Sequence, residues 1–168
     1  MSCELIAYTK ITKSQFTQLQ MNKELINQYG NKIRVRICGI CVQNDKILLV
    51  NHSGMNESGE FWSPPGGGLE FGESIEDCLK REFLEETNTI ISVGRFLTVR
   101  EFLKPPLHAI ELYYEVRIES GNIKKGSDPE MDYQIIKDIQ WMSFAEVLGK
   151  GEGRFAGALV GIASLFLE

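Results

Sequence analysis

The hydrophobic and polar positions of this chain alternate in some segments and recur every three or four residues in others. Alternation is typical of β-strands, and the longer period is typical of amphipathic helices. These patterns predict strands over residues 33–42, 46–50, 92–103, 108–119 and 135–142, and helices over residues 12–29, 74–87, 144–148 and 154–167. Strands interleaved with helices predict an α/β fold, in which a mixed β-sheet is sandwiched between helices.

The predicted elements divide the chain at about residue 31. Residues 1–31 carry one helix that ends at Gly30, and we interpret them as an N-terminal extension. Residues 32–168 carry all the predicted strands and form the main domain. The sequence leaves open whether the extension covers a sheet edge or takes part in a homodimer contact.

The helix over residues 74–87 changes character along its inward face. Ile75, Cys78 and Leu79 lie at spacings i, i+3 and i+4, which place them on one stripe facing the core. The same stripe continues with three carboxylates, at Glu82, Glu85 and Glu86. Buried carboxylates are costly unless a positive group shares the space, and hard divalent cations suit clustered oxygen ligands. The competing interpretation is a solvated acidic end of the helix.

The residues around this helix follow a longer spacing pattern. Gly67 is followed after five residues by Glu73, and after seven more by the run Arg81-Glu82-Phe83-Leu84-Glu85-Glu86. This spacing resembles the Nudix box, G-x5-E-x7-R-E-U-x-E-E-x-G-U, in which U is a bulky aliphatic residue. Asn88 and Thr89 depart from its last glycine and aliphatic residue. Asparagine is the next best residue after glycine for ending a helix in the left-handed conformation.

The resemblance implies a Nudix fold for residues 32–168. It also implies hydrolysis of a nucleoside diphosphate linked to another group, as in a nucleotide sugar, ADP-ribose or a nucleoside triphosphate. The expected cofactor is Mg²⁺, with Mn²⁺ as an alternative, and it would activate a water molecule for attack on phosphorus. The expected metal ligands are Glu85, Glu86 and a backbone carbonyl of Gly67, and Glu82 is expected to be either a further ligand or the base that acts on the water molecule.

Further residues complete the candidate site. By resemblance, Arg81 pairs with Glu73 and fastens the loop to the helix, which would hold the ligands in register. Gly66 and Gly67 are candidate backbone contacts for the substrate. Arg36 is a candidate phosphate contact, as are Arg34, Arg100 and Lys104, although a solvated charge on a strand face is the competing interpretation for each.

Four residues outside the box have a weaker basis. Glu130 is the candidate auxiliary carboxylate, with plain loop solvation as its competing role. Trp62 could stack on a base, although packing beside the Pro-Gly turn competes. We assign no ligand role to His52 or His108, which are isolated in sequence.

The charge distribution narrows the class of partner. The formal net charge is −5, and residues 70–86 alone account for it, because they hold seven acids and two bases. No basic stripe is evident, which argues against a nucleic-acid polymer as partner and favours a small nucleotide substrate. A proline pair, Pro105-Pro106, falls at a spacing that resembles a marker of ADP-ribose hydrolysing members, and a turn between strands explains it equally well.

The four cysteines indicate a reduced protein rather than a disulfide framework. Cys38 and Cys41 lie three apart on a predicted strand, so they point to opposite faces and favour core packing over a zinc pair. No signal peptide and no apolar run long enough to cross a bilayer are evident. We expect a cytoplasmic protein that does not associate with membranes.

Two other functions on the same scaffold are open to the sequence. One is a non-catalytic module that senses a nucleotide, and the intact set of glutamates argues against it. The other is an isomerase of prenyl diphosphates, which would need an acid–base pair suited to carbon. No cysteine lies at an obvious reactive position for that chemistry.

Overall fold

The computed structural model describes residue 23, residues 26–53, 61–126 and 134–149, and residues 159, 161 and 162. Within these ranges the strands are β1 (Ile33–Gln43), β2 (Lys46–His52), β3 (Phe61–Ser63), β4 (Gly66–Gly68), β5 (Thr89–Lys104), β6 (Leu107–Gly121) and β7 (Ile136–Ser143). The helices are α1 (Ile75–Thr87) and α2 (Phe144–Gly149).

The strands form one mixed sheet around β1. The central strands β1 and β6 are parallel, and they are paired along β1 from Ile33 to Cys41. The outer pairings are antiparallel: β5 pairs with β6, β4 pairs with β1, and β2 pairs with β3 and β7. Asn44 and Asp45 form a tight hairpin turn between β1 and β2, and both residues have positive φ, as a turn of this kind requires.

Helices cover both faces of the sheet. Adjacent residues on a strand point to opposite faces. One face of β1 carries Cys41, which lies in a buried cluster with Leu79 of α1. The other face carries Cys38, which lies in a second cluster with Val147 of α2 and the helical residue Leu159. The predicted α/β fold with a mixed sheet is confirmed, and so is the core role of these two cysteines.

Some element boundaries differ from the predictions. The predicted strands over 92–103 and 108–119 are longer, because β5 and β6 pair from Thr89↔Gly121 to Lys104↔Leu107. No strand is predicted over Gly66–Gly68, and this segment pairs with β1 as a short strand. Glycine is depleted in strands, so local sequence gave no sign of this pairing.

The two terminal helices were predicted over residues 12–29 and 154–167, which lie largely outside the described residues. Residues 26–29 are helical, and so are residues 159, 161 and 162. Tyr29 packs with Val50 and Ile136, and Gly30 forms a bridge with Leu107. Among the helices of the described ranges, none combines the length and the apolar character that a membrane span requires.

Gly39 lies where β1 passes beneath α1, and we expect Gly39→Ala to destabilise the fold. A Cβ at this position would overlap the ring of Phe83. The free energy of unfolding should fall by about 2 kcal/mol, because overpacking a dense core forces side chains away from their rotamers. Urea unfolding followed by circular dichroism measures the change.

Gly149→Ala is the control, since nothing lies within 4 Å of the Cβ that it adds. A second replacement, Phe83→Leu, should lower the free energy of unfolding less in the Gly39→Ala variant than in the native chain. Strictly additive effects of the two changes would contradict the proposed overlap.

Candidate active site

Helix α1 begins and ends on groups that suit a helix terminus. At its start, the Ser74 hydroxyl accepts a hydrogen bond from the amide of Asp77 at 3.1 Å. At its end, Asn88 has a left-handed φ of 57°, and its amide donates to the carbonyls of Leu84 and Phe83. Asparagine therefore serves where the Nudix box has glycine, and the helix predicted over residues 74–87 is confirmed.

The inward stripe of α1 is apolar first and acidic afterwards. Cys78 and Leu79 are fully buried, and two of the three carboxylates that follow on the same face are buried with them. Glu82 is 6% exposed and Glu86 is 2% exposed, whereas the side chain of Glu85 is 27% exposed. A solvated acidic helix end is therefore wrong for Glu82 and Glu86.

Arg81 joins helix α1 to the part of the chain before it, which contains Glu73 and the glycine loop (Gly66–Gly68, the short strand β4). Its Nε donates to Glu73 Oε1 at 2.9 Å, and its Nη2 donates to Glu73 Oε2 at 3.1 Å. Its Nη2 also donates to the carbonyl of Gly68 at 3.2 Å. Its Nη1 donates to Glu82 Oε1 at 2.8 Å and to Glu85 Oε2 at 3.2 Å. One guanidinium thus binds three carboxylates and fixes the loop against α1.

The pair with Arg81 makes the stability contribution of Glu73 dependent on pH. Hydrogen bonds from Arg81 hold the pKa of Glu73 below its usual value, against the opposing effect of burial. The ionised side chain therefore contributes stability above its unfolded pKa of about 4.3, and this contribution is lost as pH falls through the lower folded pKa.

We expect Glu73→Gln to lower the free energy of unfolding by about 2 kcal/mol at neutral pH, because it weakens charge-assisted hydrogen bonds. The difference from the native chain should shrink as the pH falls below about 4. Urea unfolding at several pH values measures it. Glu76→Gln is the control, since Glu76 pairs with Lys80 in an exposed part of the same helix. A deficit that stays constant from neutral to acid pH would contradict the assignment.

The glycine loop approaches the two buried carboxylates through its backbone. The amide of Gly66 donates to Glu86 Oε2 at 2.9 Å. A Cβ on Gly67 would overlap the carboxylate of Glu82. Gly66 has a φ of 143°, a conformation that side-chain-bearing residues rarely adopt. Glycine at both positions therefore allows the backbone to contact the acidic face of α1.

The contact of Glu86 with His52, and that of His52 with Ser63, were not predicted from the sequence. His52, at the end of β2, places Nε2 at 3.3 Å from Glu86 Oε1. Its Nδ1 lies 3.2 Å from the hydroxyl of Ser63 on β3. The only hint in the sequence is a polar residue at the end of the apolar strand β2. The second histidine, His108, instead pairs with Glu101 in an exposed part of the β5–β6 hairpin.

Arg36 lies on β1 beside the glycine loop. Its side chain is 18% exposed, so the interpretation as a solvated strand-face charge is wrong for this arginine. Its Nη2 donates to the carbonyl of Gly66 at 3.2 Å, and its Nη1 lies 3.7 Å from Glu111 Oε1. Arg34 is placed differently, with its guanidinium 3.5 Å from the centre of the Tyr29 ring.

The remaining candidates lie away from the acidic face or beyond the described residues. Glu130 lies outside the described residues. Trp62 is 5% exposed and belongs to the core cluster around Cys38, which confirms packing rather than an open stacking surface. Pro105-Pro106 forms the turn between β5 and β6.

The acidic face offers donors of the right chemistry for a metal ion, although they are not gathered around one point. In the part of the chain that the structure describes, no three His, Cys, Asp or Glu side chains form a metal-binding group. Glu82 and Glu85 turn toward Arg81, whereas Glu86 turns toward Gly66 and His52. Nη1 of Arg81 donates to both Glu82 and Glu85, and its positive charge offsets the repulsion between these two carboxylates. Oxygen donors of this kind fit Mg²⁺ or Mn²⁺.

Comparison with known proteins is consistent with this arrangement. The model of the NUDIX domain matches residues 31–159, well over half of the chain. The ADP-ribose pyrophosphatase of Methanocaldococcus jannaschii is 33% identical over 113 residues, which are 66% of this chain and 66% of that protein. The NAD-capped RNA hydrolase NudC of Vibrio atlanticus is 30% identical over 103 residues, which are 61% of this chain and 35% of that protein. The chain thus spans slightly less than two thirds of the first relative and about a third of the second.

The fold has a counterpart among solved structures. A NUDIX hydrolase from Nitrosomonas europaea superimposes with a TM-score of 0.66 at 23% sequence identity, covering 80% of this chain and 87% of that chain. Likeness at this level of identity shows the fold alone. The family model, which matches most of the chain and includes the acidic helix, shows more: the chain belongs to the Nudix hydrolase family.

Proposed function

We propose that this protein is a Nudix pyrophosphohydrolase that cleaves a nucleoside diphosphate linked to another group. The observation that carries the proposal is the burial of Glu82 and Glu86 on the core-facing stripe of α1, beside the glycine loop. Such burial is unfavourable for stability alone, because the carboxylates repel one another and lose hydration. A catalytic role accounts for the position of these two carboxylates on this face.

We further propose that Glu82, Glu85 and Glu86 bind Mg²⁺, or Mn²⁺ as an alternative, together with a backbone carbonyl of Gly67. When bound, such an ion lowers the pKa of a water molecule and stabilises charge on phosphate oxygens. Glu73 and Arg81 hold the loop and the helix in register through the hydrogen bonds described above. Glu130 stays a candidate auxiliary carboxylate.

Arg36, which lies on β1 beside Gly66, is the proposed phosphate contact. Its guanidinium is anchored by Gly66 and lies near Glu111, and its Nε is buried without a hydrogen-bond partner among the described residues. An arginine is charged at all relevant pH values and presents donors in a fixed plane, which suits phosphate oxygens. Backbone groups of Gly66 and Gly67 are the further substrate contacts that we propose.

The first substrate to test is ADP-ribose, because the Methanocaldococcus relative is named as an ADP-ribose pyrophosphatase. The panel should also include nucleotide sugars, nucleoside triphosphates and dinucleoside polyphosphates, each with Mg²⁺ or Mn²⁺. Ion-exchange chromatography of the products should show a nucleoside monophosphate released from at least one of them. Binding of a nucleotide without release of any product would favour the non-catalytic sensing module instead.

A further inference from the structure

Glu86 is connected to a histidine and a serine that the proposed reaction does not use. His52 is 4% exposed and Ser63 is 5% exposed, so both are as thoroughly buried as Glu86 itself. The pairing of β2 with β3 places Ser63 opposite Val50. Residues two apart on a strand share a face, so Val50, His52 and Ser63 lie on the same side of the strand pair. The register of two strands therefore brings the hydroxyl to the imidazole.

The direction of each hydrogen bond follows from what the groups can donate. An ionised carboxylate only accepts, so Nε2 of His52 donates to Glu86 Oε1. The other nitrogen of a neutral ring is then an acceptor, and the hydroxyl of Ser63 donates to Nδ1. A hydroxyl can donate or accept, so Ser63 is compatible with the tautomer that presents an N–H to Glu86.

The carboxylate of Glu86 is held at both oxygens. Oε1 accepts from His52, and Oε2 accepts from the amide of Gly66. The two donors come from different elements of the sheet, so together they fix the plane of the carboxylate. Each oxygen keeps a further lone-pair direction for another ligand. Arg81, by contrast, contacts the other two acids of the stripe, Glu82 and Glu85.

We propose that His52, oriented by Ser63, is a positioning residue that holds the carboxylate of Glu86 in the orientation in which it binds a divalent cation. This inference rests on the proposed function, because it takes Glu86 as a metal ligand. Partners that orient a ligand without touching the metal typically change metal affinity by 10- to 100-fold when they are removed.

The test is the binding of Mn²⁺ to the full chain in the absence of substrate. Binding is measured from the decrease in the electron paramagnetic resonance signal of free Mn²⁺. We expect His52→Leu, which keeps the bulk and removes the donor, to weaken Mn²⁺ binding by about 10- to 100-fold. Ser63→Ala should weaken it less. His52→Gln, which restores an N–H donor, should recover most of the affinity.

His108→Leu is the matched control, because His108 pairs with Glu101 away from the acidic helix and its loss should leave Mn²⁺ affinity unchanged. Circular dichroism establishes that each variant is folded, and Ser63→Ala carries the test if His52→Leu does not fold. Unchanged affinity in the folded variants would overturn the inference, and so would equal losses in His52→Leu and His52→Gln. A native chain that neither binds Mn²⁺ nor hydrolyses any substrate would instead overturn the proposed function.

Discussion

Replacing Glu86 with glutamine should lower kcat by roughly 10³-fold on the true substrate while the fold stays intact. The loss corresponds to about 4 kcal/mol of barrier, because the negative charge that would hold the cation is gone. Folding should survive, since the glutamine carbonyl can accept from the amide of Gly66 and its NH₂ can face His52. The imidazole can then accept at Nε2 in its other tautomer.

Steady-state kinetics at saturating Mg²⁺ measures this effect, with urea unfolding as a check on stability. Glu76→Gln is the matched control, because it removes one charge from the same helix at an exposed position that pairs with Lys80. A folded Glu86→Gln variant that turns over near the native rate would contradict the metal-ligand assignment. A comparable loss of kcat in Glu76→Gln would show that the effect comes from the charge of the helix as a whole.

Gly66→Ala should lower the free energy of unfolding by about 4 kcal/mol, the largest loss of stability that we expect from a single methyl group. Two causes add together. A φ of 143° is strained for alanine, at roughly 1–3 kcal/mol. The new Cβ would also overlap the carbonyl oxygen of Ile37 and crowd the backbone of Cys38. Neither can move without disturbing the pairing of β4 with β1.

Gly72→Ala separates the two causes. Gly72 also has a positive φ, of 85°, but nothing lies within 4 Å of the Cβ that alanine would add. Its replacement should cost only the conformational strain, roughly 1–2 kcal/mol. Urea unfolding of both variants gives the comparison. Equal losses would show that the close approach of Gly66 to β1 contributes nothing.

Helix α1 and its acidic face could be predicted from the sequence because their signals are local. The apolar stripe, Ser74 at the start and Asn88 at the end all lie within the segment that they organise. Once the stripe is known, the inward position of Glu82 and Glu86 follows from helix geometry.

The contacts of His52 and Arg36 could not be predicted, because they depend on how distant elements pack. His52 meets Glu86 only because β2 ends beneath α1. Arg36 lies near Glu111 because β1 and β6 run parallel in one particular register. Periodicity shows which face a residue occupies, and it does not show which strand lies next to it. The pairing of Gly66–Gly68 with β1 is hidden for the same reason.

Cys38 lies on one face of the sheet, and Cys41 and Cys78 lie on the other. Their thiols can therefore report the separation of the packed layers on each face. Burial raises the pKa of Cys38 and Cys78 to about 12 and that of Cys41 to about 11, so the reactive thiolate is scarce at neutral pH. Each thiol becomes accessible to an alkylating reagent only when the packing around it separates. Pulsed alkylation of Cys41 and Cys78 would therefore report the detachment of α1, and alkylation of Cys38 would report events on the opposite side.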